Sequence, residues 1–141
     1  MNENHRRALR SYLYVVERDR HYIHSQLESH ANNSVSYFTR NDIDPETKTR
    51  VLTMTKTMLD EIERTMEKFN LESKEESARR NILSVLSEIW AILEDTRPEK
   101  LKAYGSMSER DRELLTPHIQ RLLRILDEVF EVLHKSPRSL S

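Results

Sequence analysis

His21 and His24 stand three residues apart. With Glu17 and Glu28 they fall along one ridge of a helical segment, a spacing at which neighbouring side chains can share a zinc or nickel ion. The ridge lies away from the apolar line Leu9, Val16, Ile23. The pattern therefore points to a solvated row of acids and bases that pair along the helix, with His21 and His24 as weak metal-ligand candidates. Phosphotransfer through either histidine has less to support it. His21 has Ser25 one turn on but no neighbouring lysine, and Glu28, one turn beyond His24, repels phosphate.

Nucleophilic chemistry has little to build on. No serine sits in a strained strand-to-helix elbow, and a single glycine leaves neither an oxyanion loop nor a phosphate-cradling loop. The lack of cysteine removes thiolate catalysis, disulfides and Cys-ligated zinc or iron–sulfur sites. A di-metal carboxylate bundle needs acids projecting inward from all four helices, and the inward stripes of the second, third and fourth long segments carry none. No catalytic residue, metal or cofactor is expected. The basic pairs Arg6-Arg7, Arg79-Arg80 and Arg121 with Arg124 could form a nucleic-acid stripe if they converged. Acids interleave most of them, however, and 23 basic against 24 acidic residues give a net charge of -1 with no global field for polyanions.

The elements that must carry these residues read as helices. Ala78 to Leu93 holds only Arg79, Arg80 and Glu88 as charges. At about 100° per residue, Ala78, Ile82, Val85, Ile89, Ile92 and Leu93 form a core stripe, with Leu86 leading to a flank of Leu83 and Trp90. The first segment, about Glu3 to His30, carries Leu9, Val16 and Ile23 with Leu13 and Leu27 beside them. Arg20 falls on that core side, where it needs a carboxylate or must carry its head to water. Residues 31–44 lose the period and form the longest loop, whose Tyr37 and Phe38 are expected to tuck against the bundle end. Asp44-Pro45-Glu46 starts a second helix with the stripe Val51, Leu52, Thr55, Met58, Leu59, Ile62, Met66 and Phe69.

Ser73 followed by Glu76 resembles a capping box and sets the expected start of the third helix. Thr96-Arg97-Pro98 interrupts that helix, with Thr96 capping a short new one. It runs through Leu101 to Tyr104, folds back as a lid and stops at Gly105. Ser108 opens one further short helix before Thr116-Pro117 restarts the chain as the fourth long helix, about Pro117 to His134. That helix carries Ile119, Leu122, Leu123, Leu126, Val129, Phe130 and Leu133.

These patterns imply an all-α protein: an up-and-down antiparallel four-helix bundle with one or two short extra helices between the third and fourth. They give a single domain over residues 1–135 and a flexible polar tail over 136–141. The amino-terminal decapeptide has no apolar signal core and no run approaches the roughly 18 apolar residues of a span, so a soluble cytoplasmic protein is expected. Val15, Tyr22, Leu83, Trp90, Ile125 and Val132 exceed what the main stripes require and are the interface candidates, with a symmetric homodimer the favoured assembly. The function this suits is noncatalytic: protein contacts, through self-association or an adaptor role. The alternatives are a metal- or small-ligand-binding protein, even an enzyme, using the His21/His24 ridge or a pocket near Tyr104, and, less favoured, a nucleic-acid-binding protein.

Overall fold

Long amphipathic segments with one glycine among them leave the backbone little choice but helix, and the computed structural model bears this out over the residues it describes, 1–28 and 34–137. Their regular elements are α1 (Glu3–Glu28), α2 (Pro45–Lys68), α3 (Ala78–Glu94), the short α4 (Pro98–Leu101), a 3₁₀ turn (Lys102–Tyr104) and α5 (Glu109–Lys135), with no strand. The chain divides into two units, Met1–Glu75 and Glu76–Ser141. The expected end of the first helix at His30, part of the 31–44 loop and most of the polar tail lie outside the described residues.

The first unit is an antiparallel pair of α1 and α2. Asp44 starts α2 as expected, accepting from the Thr47 amide at 3.2 Å and the Thr47 hydroxyl at 3.0 Å, with Pro45 in the first turn. The helix ends where Asn70 turns left-handed at φ 51° and the Leu71 amide reaches back to the Met66 carbonyl at 2.8 Å. Leu27 and Ile62 are buried between the helices, as are the polar Arg20 and Thr55. Tyr37 and Phe38 are exposed rather than tucked in, because a single helix pair has no bundle mouth for two rings to plug.

The second unit pairs α3 with α5, also antiparallel. Arg79 in the first turn of α3 donates to the Leu133 carbonyl and, at 3.0 Å, to the Ser136 carbonyl at the end of α5. Leu86, Ile119, Leu123 and Leu126 are the buried side chains between them. The start of α3 falls four residues later than the capping-box pattern predicts. Ser77, not Ser73, caps it, accepting from the Arg80 amide at 3.2 Å. Lys74 is held over the Tyr14 ring at 4.6 Å in the first unit, which keeps that part of the chain out of the helix.

Thr96 does not cap the next turn. Its hydroxyl bonds back to the Leu93 carbonyl at 2.7 Å, and Arg97 takes the cap position. Tyr104 is 91% exposed and forms no lid, since Gly105 leaves the turn extended at φ 141°, ψ 165° instead of curling into a left-handed helical cap. Nor does the chain restart at Pro117. The helix begun at Ser108 runs straight through, because Leu115, Ile119, Leu123 and Leu126 stay in register on one face and their burial outweighs a missing amide.

Candidate functional site

A helix pair covers only part of a wide apolar arc, and in each unit the exposed remainder is the most prominent surface feature. Leu86 marks the side of α3 turned to α5. At about 100° per residue, Ile82 and Ile89 lie roughly 50° to one flank of it, and Val85 and Ile92 about 110° to the same flank. In α5, Leu122 and Val129 lie about as far round from Leu123 in the same sense, with Ile125 and Val132 beyond them. Because the two helices run antiparallel, equal senses of rotation come to the same side of the pair. Ile82, Val85, Ile89, Ile92, Leu122 and Val129 therefore form one continuous aliphatic face, all exposed, up to 57% at Ile92, while Ile125 and Val132 lie round on the back of α5. The first unit repeats this on a smaller scale, with Tyr12, Val16 and Ile23 on α1 and Met54 and Met58 on α2.

This placement corrects the sequence reading of the core. The stripe Ile82, Val85, Ile89, Ile92 was expected inside and is open, whereas Leu83, an interface candidate, is half-buried on the side of Leu86. Ile125 and Val132 border the open face. Trp90 lies on the opposite flank of α3, partly exposed, and Val15 and Tyr22 are exposed on the back of α1.

The histidine ridge is not a solvated row. His21 is exposed, but Glu17 and His24 are half-buried, because the side of α1 turned to α2 is the line Leu13, Arg20, Leu27 and not Leu9, Val16, Ile23. Arg20 is 8% exposed and neither meets a carboxylate nor reaches water. Its Nε donates to the Thr55 backbone carbonyl at 2.9 Å, and its Nη1 lies 3.1 Å from His21 Nδ1. With the guanidinium as donor, Nδ1 accepts, and the imidazole proton sits on Nε2, 3.5 Å from Glu17. His24 Nδ1 is shielded from solvent without a hydrogen-bond partner among the described residues. No group of three His, Cys, Asp or Glu among the described residues is placed to hold a metal ion. A Glu-x-x-His spacing that sequence reasoning overlooked, Glu131 to His134, lies exposed at the end of α5.

Where α3 gives way to α4, Arg97 and Glu94 form a two-pronged bridge at 2.7 and 3.1 Å. The hydrogen bond from Arg97 holds the Glu94 carboxyl below its usual range against desolvation, and the same bond raises Arg97. Of the basic pairs, Arg79 is engaged by the end of α5, so Arg79 and Arg80 do not act together as a stripe. No described helix is long and apolar enough to cross a membrane. No protein-family model matches the chain, and no curated protein or solved structure is significantly similar to it.

Proposed function

We propose that the chain is a noncatalytic protein that works through helix-to-helix contacts, with a second copy of itself as partner. One observation supports this above the others: the continuous face of Ile82, Val85, Ile89 and Ile92 with Leu122 and Val129, bordered by Ile125 and Val132. Its open area, on the order of 500 Å², lies at the upper end of the roughly 300–600 Å² of the largest patch on a typical monomer, a size that is often functional. On α3 only Glu88 interrupts Asn81 to Leu93 with a charge, so the α3 side of the face carries little that must be desolvated when it closes. Packed face to face about a two-fold axis, the α3/α5 pairs of two copies give an antiparallel four-helix bundle.

Sedimentation velocity at micromolar concentration tests the reading. The expected result is a dimer for the wild type and a monomer for Val85→Glu/Ile92→Glu, with helical circular dichroism retained. A wild-type monomer in which Val85 and Ile92 are protected, the four long helices closing into a bundle within one chain, overturns it.

A further inference from the structure

Arg6, Arg7 and Arg10 occupy the first two turns of α1, at spacings that bring them along one flank. They line a concave pocket of about 390 Å³ whose other side is the chain just past α2, Asn70, Leu71 and Glu72, with Glu3 on the rim. Three cations in the opening turns of a helix oppose its macrodipole and repel one another. Compensation within the chain is slight. Arg6 pairs with Glu3 at 3.0 Å, while Arg7 and Arg10 make no ion pair or hydrogen bond among the described residues.

The end of α2 does not account for them either. The Thr65, Met66 and Glu67 carbonyls already accept from the backbone amides of Phe69, Leu71 and Asn70. Arg6 Nε is shielded from solvent with no acceptor among the described residues, so the group that Arg6 can offer a ligand is the outer, 42% exposed part of its side chain. With three cations and one ion pair among the described residues, the cluster suits an anion from outside.

We propose that the Arg6–Arg7–Arg10 pocket binds a phosphorylated, hydroxyl-bearing small molecule, a sugar or polyol phosphate. A phosphoryl dianion has enough acceptor sites to take paired N–H bonds from more than one guanidinium, which a single carboxylate cannot match. The two acids in the lining define the remainder of the ligand. Glu3 is occupied by Arg6, and Glu72 faces the pocket as an acceptor that suits donated hydroxyls. The volume lies at the small end of the range for small-molecule pockets and suits such a ligand better than a phosphodiester chain.

Titration of the full chain by nitrogen-15 NMR, following the arginine Nε–H signals, tests this with glucose 6-phosphate, inorganic phosphate and sodium chloride at matched ionic strength. The expected result is saturable movement of the Arg6, Arg7 and Arg10 signals with the phosphates and none with chloride. Arg7→Ala/Arg10→Ala should weaken the sugar phosphate at least tenfold at unchanged helix content. Glu72→Gln should separate the two probes, strengthening inorganic phosphate and weakening the ester. Equal shifts with chloride, or an Arg7→Ala/Arg10→Ala variant that binds as well as wild type, overturn the proposal. So does tighter, steeply salt-dependent binding of a single-stranded oligonucleotide, which would make this flank a nucleic-acid surface.

Discussion

Arg20 shows how far one residue could be read before its surroundings were seen. Its position between Leu13 and Leu27 placed it on the inner side of α1, and it is there. Its acceptor was not legible, because the Thr55 carbonyl it bonds is a backbone group with no signature in the sequence. A guanidinium enclosed without a carboxylate gives up hydration for two hydrogen bonds, so its charge contributes little net stability and its stem most of the packing. Arg20→Met should therefore unfold in urea at the same midpoint as wild type or higher, while Arg20→Ala, which leaves a void, should lose about 2 kcal/mol.

Glu94 gives the opposite case, a half-buried ion pair with a pH signature. Its carboxyl is held below the ordinary value of 4.5, first by the hydrogen bond from Arg97. A lowered folded value means that the unfolded chain takes up the proton more readily, so the contribution is fully present above that ordinary value and is lost as pH falls through the folded one. Thermal melts should show Glu94→Gln less stable than wild type at neutral pH, with the gap closing in acid. A gap independent of pH would remove the pair as its cause.

At the scale of elements, boundaries were legible where one residue alone could do the work. Asp44 before Pro45 and Ser108 before Asp111 both cap as their types predict. The start of α3 was not, because Ser73 and Ser77 are equally good caps and the choice depends on Lys74 lying over Tyr14, a contact from a different helix. Pro117 misled for a related reason. Proline normally ends a helix, yet α5 continues through it, with the Thr116 hydroxyl bonded to the Arg112 carbonyl at 2.8 Å beside the missing amide. That makes Pro117 a local cost carried by the apolar register on either side, and its ring is exposed, so little packing depends on it. Pro117→Ala should restore the amide bond and raise stability by on the order of 1–3 kcal/mol, measured as a higher melting temperature. A lower one would show that the ring is held by contacts that its exposure does not suggest.

At the scale of the molecule, periodicity identified the helical class but assigned much of the inner face by the wrong criterion. Of the stripe of α3 taken as the core, Ile82, Val85, Ile89 and Ile92 are open and only Leu93 turns inward, where the pair closes on it together with Leu83 and Leu86. Hydrophobic spacing reports which residues avoid water and not which neighbour covers them, and an arc wider than one helix can cover is compatible with either choice. The same ambiguity is what the proposed dimer resolves, since a second copy covers the stripe that α5 leaves open. Dimerisation then adds to stability, and a protein stabilised by association has a melting temperature that rises with its concentration. Over a hundredfold range of protein concentration the wild-type midpoint should rise by several degrees, whereas Val85→Glu/Ile92→Glu should melt at a fixed, lower temperature. A wild-type midpoint that stays constant across that range would show that the α3/α5 pair is stable unaided, and the aliphatic face would need another explanation.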